Sequence, residues 1–548
     1  MERLPRAELS KVYGRSLIWL TAALAFAVFP GKNALWGEEG FFAEVVRESF
    51  VRGDLTKLTF NGAAVDSSAP LGFQLAGLFS RLFGFVGEAV LRLPSGLAAL
   101  LALGGVIHLG RRLYPGYAGY LAGWLLLGSS GFLFWGRMAS SAMGPVAVTA
   151  LAAAWLMREN HHSLFSKYLV FFLLCVLGGA WGGFAAALLP PALALPLAFG
   201  GGQYKTELRT GFWFALLAGV SLYAGFLLWL VPGWDYQQLL PLLRRGTMLY
   251  GDYTAFPLRF FAELLRLGAP WVLLIIGGLA GMYSRRRKLR TRTMQLLRGM
   301  MLMAVVLFGS GAWSWEGMAP LLIPLSLLTS AAFTGDGRRE WNTRIILVMR
   351  VIAITAGSAG IVSLLVWPFW ERLFKFTPPI LFSATLPIVG GVMLLILVLD
   401  ERDNSRFAEF SGLGKDLAGT VVAATIGSIG IFSTVIPAWD TVRSSRPFLS
   451  SVRQTLHERG YHQIAFRGRQ IEGRTLFYLE STHPVPNGNS IETIRTQINP
   501  NQRTAILGYD CDELFSEFGR QPDLKENYWK FESKTNKKLS VWLLEPKP

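Results

Sequence analysis

Apolar residues in this chain gather into long runs rather than the scattered pattern of a water-soluble protein. Runs with little charge lie at 16–30, 92–110, 118–135, 143–157, 168–180, 184–199, 211–231, 269–284, 299–313, 318–333, 345–368, 378–399 and 416–437. A helix needs about 20 apolar residues to cross the hydrocarbon core, and fewer where flanking side chains reach the headgroups. The pattern predicts about thirteen transmembrane helices. The pair at 168–180 and 184–199 is rich in Gly and Pro.

From about residue 440 the pattern changes. FLSSVRQTLHERG (448–460) reads as an amphipathic helix ended by Gly460. YHQIAFRG, RTLFYLEST, RTAILGYD and KKLSVWLLEP read as strands. The predicted fold is an all-α polytopic membrane domain over residues 1–439 and a small soluble α/β domain over 440–548, with no nucleotide-binding glycine motif in it.

Two long segments separate spans, 31–91 and 232–268. The first contains EEGFFAEVVRESF, where Phe41, Phe42, Val45, Val46 and Phe50 recur at helical spacing and Glu44, Arg47 and Glu48 take the other face. That pattern predicts a helix lying in the membrane interface. PLGFQLAGLFSRLFG (70–84) is short for a span and reads as an interfacial or re-entrant helix. The second segment carries Asp252, Tyr253 and Arg259 on a short amphipathic stretch.

Composition agrees with lipid as the main solvent. Of 548 residues, 52% are hydrophobic and 16% charged, against about a quarter charged in soluble domains. The net charge of +17 needs no nucleic acid, because Lys and Arg collect in cytoplasmic loops beside anionic lipid. With Arg3, Arg6, Lys11 and Arg15 in the cytoplasm, the basic groups at Arg111–Arg112, Arg158, Lys167, Lys205, Arg209, 285–292, Arg338–Arg339, Arg344, Arg402, Arg406 and Lys415 fall on the same side. The segments 31–91 and 232–268 and the C-terminal domain then lie outside, in the periplasm of a Gram-negative inner membrane. The first apolar run has no small-residue cleavage site and reads as a retained span. Cys175 and Cys511 sit in an apolar run and in the tail, so no disulfide framework is implied.

Candidate chemistry centres on Glu38 and Glu39, just beyond the first span at the start of a helix. Carboxylates there complement the exposed helix amides. A carboxylate at the membrane surface can also act as a general base, with partial burial raising its pKa. His161-His162 falls in a predicted cytoplasmic loop and His108 in a span, and no group of Cys, His and carboxylates has metal-ligand spacing. Trp36, Trp313, Trp315, Trp367 and Trp370 cluster at predicted outer boundaries, where an aromatic belt accounts for them. Trp36 and Trp315 are the two to test against substrate.

The acidic pair after the first span, Asn61-Gly62, the Pro70-Leu71 step, and above all RLPSGLAALLALGGVIHLGRRLYPGYAGYLAGWLLLGSSGFLFWGRM (92–138) resemble the GT-C glycosyltransferases. Within them, the protein O-mannosyltransferases and the aminoarabinose transferases that modify lipid A are most similar. APWVLLIIGGL (269–279), the Pro320 to Pro324 region and FYLES (477–481) fit more loosely. The resemblance implies a membrane enzyme that takes a sugar from a polyprenyl-phosphate carrier, undecaprenyl phosphate in bacteria, and passes it to a lipid, glycan or protein acceptor on the outer face. Carried over by position, Glu38 stands where the family has its catalytic Asp, and Glu39 matches the neighbouring Glu. Arg92 and Arg137 match family arginines. With Arg259, Asp66 and Tyr253 they form the candidate substrate and phosphate site, since a guanidinium gives phosphate two charge-assisted bonds. Snorkelling to the interface is the alternative account of Arg92 and Arg137. It balances the functional one for Arg92, while for Arg137 the cost of a charge near a bilayer boundary favours function. No cofactor follows from a motif, and a divalent metal is left open.

Several positions depart from the family pattern. Glu for Asp moves the carboxylate by about one methylene, a shift that can cost around 100-fold in rate. Ala142 stands five positions after Arg137, where an acidic residue is usual. Ser67-Ser68-Ala69-Pro70 replaces a Glu-Lys-Pro-Pro type step, with Asp66 one place away as a stand-in. Trp181-Gly182-Gly183 replaces a Lys-Gly step, and Glu316 lies where a basic residue is common. Two readings follow: an active glycosyltransferase that holds its donor differently, or a catalytically impaired relative that binds a lipid carrier or a partner. A transporter fits less well, for the chain has no internal repeat and few ionisable residues in mid-span.

Overall fold

The structure, a computed structural model, describes residues 6–27, 33–65, 69–114, 118–158, 163–199, 256–269, 271, 291–310, 316–334, 444–468, 471–481, 483–509, 519, 521–525 and 539–545, with isolated positions at 213, 217, 221, 225, 425 and 429. The expected spans at 211–231, 345–368, 378–399 and 416–437, and nearly all of 269–284, lie outside the described residues.

The membrane part begins with α1 (Arg6–Ala27). After the residues that follow it come α4 (Glu88–Leu113), α5 (Ala118–Leu127), α6 (Ser130–Arg137), α7 (Met143–Leu156) and α8 (Leu164–Phe199). Later come α9 (Phe256–Gly268), α10 (Thr291–Ser310) and α11 (Leu322–Thr334), the last entered through a 3-10 turn at Ala319–Leu321. By length and composition, three of these helices can cross a membrane, and the bent pair α5–α6 makes a fourth if counted as one span.

Small residues let these helices approach closely, as apolar helices in lipid require. A Cβ on Gly110 would lie 2.7 Å from the Cα of Gly119, and one on Gly105 would lie 2.8 Å from the Ala150 backbone, so α4 touches both α5 and α7 through glycine. The expected single span 118–135 is instead bent by 63° between α5 and α6. The break has a local cause: the Ser129 hydroxyl donates back to the Leu125 carbonyl at 2.7 Å, and the freed amide of Ser130 donates to Ala269 at 2.7 Å. The helix α8 is broken at Gly183, whose φ of 79° and ψ of −171° are non-helical. Gly178 then lies against the carbonyl of Ala186, which a continuous helix would keep far away.

Between α1 and α4 the chain folds into α2 (Glu39–Arg52), a hairpin of β1 (Thr59–Phe60) and β2 (Ala63–Ala64), and α3 (Leu71–Phe83). Asn61 and Gly62 both have positive φ (51° and 77°) at the hairpin tip, the two-residue turn that suits a right-twisted hairpin.

The C-terminal part contains α12 (Arg446–Glu458), β3 (Gln463–Arg467), α13 (Gly473–Leu479), β4 (Asn487–Gly488), α14 (Ile491–Arg495), β5 (Thr504–Tyr509), β6 (Leu524–Lys525) and β7 (Leu539–Leu544). The strands form one mixed sheet in the order β4-β3-β5-β7-β6, with β3 parallel to both β4 and β5, and β7 antiparallel to β5 and β6. The helix at 446–458 and three of the four expected strands are present. The fourth, RTLFYLEST, is instead helix α13. Leu476, Phe477, Tyr478 and Leu479 are all buried, so the helix has no polar face and its sequence carries no 3.6-residue period.

Placement of α2 corrects a second expectation. Its polar residues Glu39, Glu44, Arg47 and Ser49 are buried along with Phe42, Val45 and Val46. The helix is covered by protein rather than resting on lipid. Phe42 stacks on Phe73 of α3 at 4.5 Å between ring centroids. On its other side Gly40 meets the backbone of Gly473 and Arg474 at the start of α13, too close for any Cβ. Glu44 and Arg47 form a two-pronged pair (2.7 and 2.6 Å), and Arg47 also donates to the carbonyl of Ser481 at 2.8 Å. One apolar core runs from Leu35, Phe42, Val46, Ala76 and Leu91 into Phe448, Leu449, Leu476 and Leu507.

Candidate functional site

The described residues between α1 and α2, 33–38, form a loop whose backbone is held at four consecutive positions. Arg92, in the first turns of α4, donates to the carbonyls of Asn33 (2.9 Å) and Ala34 (3.0 Å). The amide of Leu35 donates to the hydroxyl of Tyr478 at 2.8 Å, and that of Trp36 to Oε2 of Glu39 at 3.0 Å. Gly37 follows with φ of 49°, the turn that releases the chain into the helix.

Glu39 anchors this clamp. Its Oε1 accepts from Arg92 Nε (2.8 Å) and from the amide of Ala139 (2.6 Å), while Oε2 accepts from Arg92 Nη2 (2.8 Å) and Trp36. The two side chains are 1% and 2% exposed. A carboxylate has about four lone-pair sites, and all of these are filled, so Glu39 has none left to take a proton from substrate. One buried carboxylate thereby joins three stretches of chain: the loop, α4, and the segment after α6. Ser95 pins that last segment from below, donating to the Ser140 carbonyl at 3.1 Å.

Glu38 stands in a different environment. It is exposed at the helix start, and its carboxylate has no hydrogen bond or ion pair among the described residues. Close by lies Glu316, in the turn before Ala319–Leu321. Glu316 is buried, and among the described residues no cation or hydrogen-bond donor meets its carboxyl. Burial, and then the neighbouring Glu38 carboxylate, push the Glu316 carboxyl up to about 8. The site thus pairs an open carboxylate with a carboxyl that keeps its proton at neutral pH.

The other expected residues fall as follows. Arg137 ends α6, is buried, and donates to the Ala25 carbonyl of α1 at 2.7 Å, near enough to Arg92 for their charges to act on each other. Arg259 lies in α9, with its side chain outside the described residues. Asp66, Tyr253 and Trp315 lie outside them entirely, and Trp36 is half-buried on the clamped loop. Among the described residues no group of three or more His, Cys, Asp or Glu is placed to hold a metal ion. Among the described residues, Glu38 and Glu316 alone do not make the oxygen-rich set that a hard divalent cation takes.

No protein-family profile and no curated protein matches the sequence. Among solved structures, ArnT from Cupriavidus metallidurans bound to undecaprenyl phosphate is similar along nearly the whole length. Its TM-score is 0.66 at 16% identity, covering 96% of this chain and 97% of that one. The apo state of the same protein gives 0.68 at 16% identity, with 98% of each chain covered. The archaeal oligosaccharyltransferase AglB from Archaeoglobus fulgidus gives 0.46 at 13% identity, over 91% of this chain and 70% of that one. The chain has the GT-C fold.

Within the GT-C fold, the departures seen in the sequence take physical form. Ala142, in place of an acidic residue, is buried at the start of α7. Trp181, in place of a lysine, is buried with its ring against Gly144 and its indole beside Gly72, near Ser141. Sequence reasoning brought Glu38, Glu39, Arg92 and Glu316 forward but missed Tyr478 and Glu88. The hydroxyl of Tyr478 also reaches Glu88 Oε1 at 3.3 Å. The loose FYLES resemblance is the one signal that pointed to it.

Proposed function

We propose that this chain is a membrane-embedded glycosyltransferase that moves a sugar from a polyprenyl-phosphate donor to a lipid, glycan or protein acceptor. It works on the outer face of a bacterial inner membrane, with the N-terminus cytoplasmic and the C-terminal domain periplasmic. The observation that carries this reading is Glu38: an open carboxylate on a loop held at four consecutive backbone positions, in a chain with the GT-C fold along nearly its whole length. The carrier lipid bound in the similar ArnT structure, undecaprenyl phosphate, supplies the donor class.

In this assignment Glu38 takes the proton of an acceptor hydroxyl or amine as that atom bonds to the anomeric carbon. The bond from that carbon to the phosphate oxygen breaks, and its electron pair leaves with the polyprenyl phosphate. A leaving group that is already anionic needs charge stabilisation more than an acid, and Arg137 and Arg259 are assigned to it, with Asp66 and Tyr253 on the sugar side. Glu39 and Arg92 serve as the anchor rather than as base and phosphate ligand, because their hydrogen-bonding groups are spent on each other and on the loop.

The buried Glu316 beside Glu38, and Trp181 in a lysine's place, favour a second reading, a relative that binds the carrier without transfer. Purified protein supplied with a panel of labelled polyprenyl-phosphate sugars separates the two. Turnover by the wild type that falls at least about 100-fold in Glu38→Gln supports the enzyme. Full turnover in the variant removes Glu38 from the chemistry, and carrier binding without any turnover establishes the second reading.

A further inference from the structure

Of the four backbone positions clamped between α1 and α2, three are held by residues of the membrane part's own first segments, and one is held from far along the chain. The Leu35 amide donates to Tyr478, 443 residues away. Tyr478 is itself fixed. It is buried in α13, its ring meets Phe477 edge-on at 5.5 Å, and its hydroxyl contacts Glu88, which pairs with Arg446 of α12 at 3.3 Å. Glu88 and Arg92 lie about one turn apart on α4. A single turn of that helix therefore holds both ends of the clamp: Arg92 holds Glu39, and Glu88 holds the tyrosine that binds Leu35. Glu38 follows Leu35 by only Trp36 and Gly37.

We propose that Tyr478 is a positioning residue for Glu38. The C-terminal domain delivers its hydroxyl into the loop and fixes where the open carboxylate stands. The domain is thus a working part of the site. The proposal rests on the glycosyltransferase reading only for its effect on turnover; its effect on the loop stands without it.

The chemistry is specific to the hydroxyl. Tyr478→Phe keeps the ring and its packing and removes only the atom that accepts from Leu35 and donates to Glu88. Losing one buried hydrogen bond shifts local opening by about five- to tenfold. A displacement of a reacting group by a fraction of an ångström lowers turnover by about ten- to a hundredfold.

The test uses the full-length protein in detergent or nanodiscs. Hydrogen exchange is followed over residues 33–38, and donor turnover is resolved into kcat and KM. In Tyr478→Phe the loop amides should exchange about five- to tenfold faster, while peptides from the β-sheet keep wild-type protection. The kcat should fall about tenfold or more with KM for donor changed less than about twofold. Glu88→Gln, which keeps an oxygen for the tyrosine hydroxyl, should retain most of both, and Arg495→Ala on the exposed face of α14 should change neither. Unchanged exchange at 33–38 in Tyr478→Phe overturns the proposal, as does faster exchange with kcat intact in an active protein. If the wild type transfers no sugar, the glycosyltransferase reading fails on its own, and the exchange result still decides whether Tyr478 holds the loop.

Discussion

Two neighbouring carboxylates, Glu38 and Glu39, carry the same chemical group into opposite circumstances. Glu39 is closed off by hydrogen bonds from Arg92, Trp36 and Ala139, and Glu38 stands open. A buried ion pair of this kind adds little net stability, because desolvation offsets the attraction, but removing one partner strands the other. Its use here is to fix a place in the chain. Glu316 presents the reverse case, a buried acid with no cation to meet it among the described residues. Its folded-state pKa of about 8 stands above the ordinary 4.5, so the folded form holds a proton that the unfolded chain releases. The stability this confers is complete below pH 4.5, declines as pH rises toward about 8, and is gone above that. Glu316→Gln should abolish the decline and stabilise the protein at pH 8 by on the order of a few kcal/mol, read as a thermal midpoint that no longer falls across that window. A midpoint that falls equally in both proteins excludes Glu316 as the titrating group. The sequence identified Glu316 only as a basic residue replaced, since nothing in SWEGM says that its turn is buried.

At the scale of elements, legibility followed how far each segment's environment is uniform. Beyond its first turns, the helix α4 is a long run of small and apolar residues, and that run announces it. The amphipathic α12 was equally legible: Phe448, Leu449, Val452 and Leu456 share one buried face. Elements wedged between unlike partners were not. The helix α13 is buried all round and reads as a strand. The polar face of α2 reads as water-facing or headgroup-facing, when the C-terminal domain covers it. Both misreadings have one source, the contact between these two helices, which local periodicity cannot register. That contact is backbone on backbone at Gly40 and Gly473. Gly40→Ala should therefore cost about 1–3 kcal/mol by overpacking, since the atoms it meets include main chain that no rotamer change can move. Faster hydrogen exchange in both 39–52 and 473–479, with α4 unaffected, would show the two helices prised apart. Loss of protection elsewhere instead would place the contact's importance somewhere other than this interface.

Across the whole molecule, the division at 439/440 drawn from composition does not coincide with a division of the core. The apolar cluster that holds the sheet together also contains Leu35, Phe42, Val46, Ala76 and Leu91 from the first ninety or so residues. A fragment comprising residues 440–548 alone would expose the side of α12 and α13 that these residues cover. Expressed by itself, it should unfold with a thermal midpoint well below that of the same domain in the intact chain, or bind a hydrophobic dye strongly. A fragment as stable as the intact protein would show that the shared cluster contributes nothing. The order of synthesis gives the shared cluster a further consequence. A ribosome adds about 5–20 residues per second, so the loop bearing Glu38 emerges about half a minute to a minute and a half before the tyrosine that will hold it. Throughout that interval the Leu35 amide has not met the hydroxyl it donates to in the folded chain. A late segment of the chain therefore completes a clamp begun near residue 33, and a chain cut short before residue 478 would lack the hydroxyl that the Leu35 amide meets.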